Sequence, residues 1–194
     1  MSFTSSDILK VATKHTTNPV KICMKEKELT FNVHQFYVAD EHKKDKLDTL
    51  CDLFDNITMS NSIIFCNSRR TVIWLAEKMG ERDFKVLALV SDEFEYLLDV
   101  VQKFRTISLS RVLIATDLII PLSNLVQSNL FINYDIPNNP EKFSFLNLPY
   151  VGGFLRKGVV ISFVTGNDRR TLRDIEEYYN IQIQEMPMNV GDLI

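Results

Sequence analysis

SRVLIATD, residues 110–117, is the stretch on which the fold turns. Its apolar run Val112, Leu113, Ile114 and Ala115 closes on a hydroxyl and a carboxylate, Thr116 and Asp117. A short run of this kind reads as a buried parallel strand that delivers polar groups to the carboxyl edge of its sheet, where open α/β sheets bind ligands. Function is therefore expected just after Asp117, where Leu118, Ile119, Ile120, Pro121, Leu122, Ser123 and Asn124 follow. A loop that holds phosphate needs glycine, which lets backbone amides approach closely, or a cationic side chain. This stretch has neither.

Upstream of that strand the pattern is regular from His34 onward. HQFYVA (34–39) predicts a strand, and KKDKLDTLCDLFDNI (43–57) a helix with Leu47, Leu50, Cys51, Leu53 and Phe54 inside and Lys43, Lys44, Asp45, Asp48 and Asp52 outside. NSIIFCN (61–67) is a second strand, and Ser68 to Arg82 a helix with Val72, Leu75, Ala76 and Met79 as its inner stripe. VLALV (86–90) predicts a strand and Glu93–Arg105 a helix, before the organising strand itself. Downstream, LFINYD (130–135) and GVVISFV (158–164) are strands and Asp168–Asn180 is the last helix. Strands alternating with helices at this spacing make βαβ units, hence a parallel sheet with right-handed crossovers in a three-layer α/β sandwich.

Two segments break the rhythm. Residues 1–31 carry polar and charged residues with little alternation; Ser6-Asp7 could cap a short helix from Ile8 to Lys14, and the remainder reads as an extended connector, either a tether or a solvated arm. PEKFSFLNLPYVGGFL (140–155) surrounds Pro149 and Gly152-Gly153 with dense apolar residues, a mixture expected not to make a clean helix and either to fold back as core or to present a sticky surface.

Composition limits the function further. With 194 residues, 45% of them apolar, one large domain or a domain with an appendage can bury a full core. A net charge of −3 supplies no overall field for nucleic acid, so any such contact must come from a local patch. Cys23, Cys51 and Cys66 are odd in number and form no CxxC pair, which argues against a disulfide framework or a zinc site and for a reduced, intracellular setting, cytoplasmic or nuclear. The start MSFTSSDILK has no secretory pattern, and no apolar run reaches the ~18 residues of a membrane span.

Asn67, Ser68, Arg69 and Arg70 lie where the second strand turns into its helix: the arrangement could hold an RNA phosphate, or be a capped helix with solvated arginines. Asp92, Glu93 and Glu95 could serve as acid–base groups, or with Asp117 bind a cation, but acids are favoured in a first helical turn in any case. His15, His34 and His42 have no partner at triad or metal spacing, so no catalytic residue and no metal ligand is assigned. Neither G-x-x-x-x-G-K-[ST] nor G-x-G-x-x-G occurs. Arg156-Lys157, and Arg169-Arg170 with Arg173, read as solvated charges.

Together, IIFCNSRR, SRVLIATD, FINYDIPNN, LRKGVVISFV, RTLRDIEEYY and EMPMNVGDLI resemble the second RecA-type lobe of DEAD-box RNA helicases, within them the translation initiation factor 4A group. IFCN, YDIPNN and EMPMNV lean towards its nuclear exon-junction member. The likeness runs from about Asp7 to Ile194 and implies a linker remnant over 1–31 followed by a helicase C-terminal domain over 32–194. In such helicases the first lobe cradles ATP, and the second completes the pocket and half of the RNA track. The resemblance places Asn67, Arg69 and Thr116 on that track, and Asp117, Asn124 and Asn147 at remnants of the ATP side.

Several family positions have changed. Pro121, Leu122 and Asn124 stand where the family has Arg-Gly and an Asp, and Leu146, Asn147, Leu148, Pro149 and Tyr150 where it has a His-Arg-x-Gly-Arg run. Its His-Gly-Asp turn reads Val90, Ser91 and Asp92, and Leu98 falls about where an arginine follows. The resemblance thus implies a lobe that binds no cofactor alone, meets ATP and magnesium only when paired with a first lobe, grips RNA weakly and docks a scaffold of HEAT-type repeats. A non-catalytic decoy module and a functionless relic are the competing expectations.

Overall fold

The computed structural model describes residues 33–40, 42, 45–56, 61–106, 112–117, 128, 130–147 and 158–187. Seven strands, β1 (Val33–Ala39), β2 (Ser62–Phe65), β3 (Val86–Leu89), β4 (Val112–Ala115), β5 (Leu130–Asn133), β6 (Gly158–Val164) and β7 (Gln184–Glu185), form one sheet in the order β3-β4-β2-β5-β6-β1-β7. Every pairing is parallel. The expected strand over 110–117 is β4, buried along its whole length and paired to β2 and β3. β2, β5 and β6 are buried throughout as well, as continuous apolar runs in a sheet covered on both faces must be.

The helices are α1 (Lys46–Asn56), α2 (Arg69–Gly80), α3 (Phe94–Thr106), α4 (Pro140–Asn147) and α5 (Arg169–Tyr179). Leu47, Leu50, Cys51 and Leu53 of α1 and Val72, Leu75 and Met79 of α2 pack on one face of the sheet against Ile64, Ile114, Ile132 and Ile161. On the other face, Leu97, Val100, Val101 and Phe104 of α3 pack against Ile63, Leu113, Phe131 and Val160. Phe143 of α4 and Leu172, Ile175 and Tyr179 of α5 join Val164, which shares the parity of Val160 along β6. The result is the expected three-layer sandwich. Each fully buried Leu or Met contributes on the order of 2 kcal/mol through lost water contact.

The 140–155 segment requires a correction, because its first half is a helix. Pro140 occupies the first helical position, where the missing N–H costs nothing, and the Asn139 side chain accepts the Glu141 N–H at 2.8 Å. Phe143 is then buried beside Tyr179, whose hydroxyl donates to the Pro140 carbonyl at 2.8 Å. Residues 148–157 lie outside the described residues, as do the connector and short helix expected over 1–31. The two-residue β7 extends the sheet beyond β1 and had no counterpart in the sequence pattern.

Ser68 caps α2 with its hydroxyl accepting the Thr71 N–H at 3.1 Å, from an extended backbone. Ser68→Ala is expected to lower stability by about 1 kcal/mol, read as a lower urea midpoint at unchanged slope. Among the described residues no helix is long and apolar enough to cross a membrane.

Candidate functional site

In an all-parallel sheet every strand delivers its following residues to the same edge, so the ends of β2, β3, β4, β5 and β6 converge. Five segments meet there: Cys66–Arg69, Val90–Asp92, Thr116–Asp117, Tyr134–Asn138 and Thr165–Asp168.

Asn67 is the centre of this edge. Its backbone N–H donates to the Asp135 carboxylate at 3.0 Å, and its side-chain amide donates to the Ile136 carbonyl at 3.0 Å and stands 3.5 Å from the Asn138 side-chain oxygen. Tyr134 and Asp135 in turn donate backbone N–H groups to the Phe65 carbonyl at 3.0 and 3.4 Å. The two loops after β2 and β5 are therefore laced together. Asn67 is exposed but its amide hydrogens are directed at the neighbouring loop.

Arg69, two residues further along, faces the Asp92 carboxylate at 3.4 Å, and both groups are exposed. Thr116 is buried at the end of β4, while Asp117 stands in the open with its carboxylate 3.0 Å from the Lys142 ammonium of α4. Exposed pairs of this kind are worth a fraction of a kcal/mol, so a stronger anion could displace either carboxylate. Asp92 thus serves as the partner of Arg69 in addition to preceding a helix; beside it the Ser91 hydroxyl accepts the Glu93 N–H at 3.2 Å. Of the other expected site residues, Asn147 is the last residue of α4, and Asn124, Pro121, Leu122 and 148–150 lie outside the described residues.

One residue at this edge was given no role by the helical pattern. Lys46, the first residue of α1, is only 2% exposed, with its ammonium donating to the Tyr134 carbonyl at 3.0 Å and the Phe163 carbonyl at 3.1 Å. The Asp168 carboxylate lies 3.7 Å away and the Tyr134 ring centroid 5.8 Å. That carboxylate also accepts the Thr165 N–H and hydroxyl at 2.9 and 2.6 Å. The signal was present in the spacing, since Lys46 sits four and seven residues before the buried Leu50 and Leu53 and so on their stripe. Nearby, burial pushes the Asp40 carboxyl above the usual carboxylate range, opposed by the hydrogen bond from the Thr49 hydroxyl and by the Lys46 charge. Burial also drives the Cys66 thiol and the Tyr134 phenol upward, so neither ionises at neutral pH.

A triphosphate requires unpaired cations or a glycine-rich amide cradle. At this edge Arg69 stands against Asp92 and Lys142 against Asp117, and Asp135 adds a further carboxylate. No group of three or more His, Cys, Asp or Glu side chains that could hold a metal ion occurs among the described residues.

Comparison with known proteins places this architecture. The family model described as helicase conserved C-terminal domain matches residues 45–144. The ATP-dependent RNA helicase eIF4A of Aspergillus clavatus is 48% identical over 190 residues, covering 97% of this chain and 47% of that protein. Its Schizosaccharomyces pombe counterpart is 47% identical, with 97% of this chain and 48% of that protein covered. The chain spans about half the length of the curated relatives it matches. Among solved structures, the C-terminal domain of the DEAD-box protein Dbp5 superposes with a TM-score of 0.71 at 27% identity, covering 83% of this chain and 93% of that one. S. cerevisiae Dbp5 bound to RNA and ADP BeF3 gives a TM-score of 0.76 at 26% identity, covering 97% of this chain and 50% of that one. The chain belongs to the helicase conserved C-terminal domain family, and its sheet is a RecA-like second lobe of the DEAD-box, initiation factor 4A kind.

Proposed function

We propose that this lobe binds single-stranded RNA weakly along its carboxyl edge, docks a protein scaffold of HEAT-type repeats, and supports no ATP hydrolysis by itself. The observation that carries the reading is the edge: Asn67, Arg69 and Thr116 are gathered there by β2 and β4, whereas both exposed cations described above are balanced by carboxylates. Phosphate affinity scales with the cations that replace counterions, so few available cations mean weak binding with a shallow salt dependence. ATP and magnesium enter this reading only with a first lobe, whether elsewhere in a longer protein or on another polypeptide. Support for a protein contact comes from α2, whose outer side exposes Ile73 and Trp74 next to each other, 55% and 40% accessible.

The test is fluorescence anisotropy with a short labelled single-stranded RNA at several salt concentrations, alongside capture by a HEAT-repeat scaffold of the initiation-factor type. Binding whose log K falls with log salt at a slope of about 1 supports the RNA part, since each neutralised phosphate of a single strand contributes about 0.7. Scaffold capture without RNA binding leaves a docking or decoy module. Failure of both overturns the proposal in favour of a relic.

A further inference from the structure

We propose that Lys46 is a positioning residue for the RNA track, acting through the Tyr134 carbonyl on the loop that holds Asn67. The RNA part rests on the reading given under Proposed function. An ammonium is buried at high cost unless it is paired and fully hydrogen-bonded, so one placed at the end of a strand ladder marks a point the fold fixes firmly. Asn133 pairs with Ser162 across β5 and β6, which makes Tyr134 and Phe163 the next pair along, and Lys46 bridges their carbonyls. One residue beyond the bridged carbonyl, Asp135 receives the Asn67 N–H; one further, Ile136 receives the Asn67 side chain. From Asn67 the chain passes directly to Ser68 and Arg69. The first residue of α1 therefore sets the position of the arginine that faces phosphate, although it lies buried behind it. The same ammonium reaches Asp168, which precedes α5, so the strut also ties the edge to a second helix.

Lys46→Met removes the charge and keeps the stem. Its control is Leu50→Ala, a core truncation one turn along the same helix that perturbs stability and keeps the Lys46 ammonium. Two readouts separate positioning from plain stability: hydrogen exchange of the Asn67 amide relative to amides of β4, and RNA affinity. In Lys46→Met the Asn67 amide is expected to exchange faster relative to β4 and RNA affinity to fall roughly two- to thirty-fold, the range for residues acting through a contiguous network. In Leu50→Ala both should follow global stability alone. Lys46→Arg, which keeps a cation but alters its geometry, provides the same readouts if the Met variant does not fold. A variant that lowers Tm and leaves the Asn67 amide in step with β4 would overturn the inference. If the unmodified lobe binds no RNA, the RNA reading fails and the Asn67 amide alone decides the role of Lys46.

Discussion

A mixture of this chain with a separately produced first lobe of an initiation factor 4A relative is expected to hydrolyse ATP on the order of 10³- to 10⁵-fold more slowly than the intact relative, with saturating RNA in both. The transferring phosphoryl group carries its charge on equatorial oxygens, and an arginine aimed at them supplies most of what a second lobe adds. The resemblance puts Asn147 and Tyr150 at those arginine positions. A neutral amide or phenol offers one or two hydrogen bonds and no charge, so neither replaces a guanidinium. Lys142, five residues before Asn147 on α4, stands 3.0 Å from the Asp117 carboxylate and is not one of those arginine positions. Steady-state phosphate release decides the matter. A rate within tenfold of the intact relative would mean that the positions have been misaligned or that another cation reaches the phosphate.

The sheet was legible in the sequence because burial on both faces writes itself as uninterrupted apolar runs. SIIF, VLIA, LFIN and GVVISFV became β2, β4, β5 and β6 within a residue or two of their expected ends. The helices were equally plain where a stripe recurs every three or four positions, as in Val72, Leu75 and Met79. α4 was missed because Pro149 and Gly152-Gly153 were weighed as breakers of the whole 140–155 segment, whereas its first half starts a helix at Pro140, with Asn139 accepting the Glu141 N–H. Lys46 was missed because it sits in the charged run Lys43-Lys44-Asp45-Lys46, which reads as solvated; its two acceptors lie 88 and 117 residues away and leave no local trace. The pairs Arg69–Asp92 and Lys142–Asp117 are likewise products of strand order, joining segments that only the parallel sheet brings to one edge. Residue types show which side chains carry charge, but not that Arg69 and Lys142 each face a carboxylate.

Restoring the changed positions should raise the affinity for RNA and its salt dependence. A chain carrying Pro121→Arg and Leu122→Gly together with Leu146→His, Asn147→Arg, Pro149→Gly and Tyr150→Arg gains one arginine where the resemblance implies an RNA contact and two where it implies contacts to the triphosphate. Each added phosphate contact steepens the fall of log K with log salt by about 0.7 on a single strand, so Pro121→Arg, the change on the RNA side, adds about 0.7. Between about 50 and 200 mM salt the repaired chain should then lose roughly two- to threefold more affinity than the original, while binding more tightly at the lower salt. The glycines matter as well as the charges, since Leu122 and Pro149 deny the backbone the close approach that amide contacts to phosphate require. Anisotropy titrations across that range measure both quantities at once. Tighter binding with an unchanged slope would show apolar or stacking contacts rather than phosphate contacts, and an unchanged affinity with a flat slope would mean that these positions do not face RNA. A steeper slope would establish that the edge built by β2, β4 and β5 retains the geometry of an RNA track and lacks only its charge.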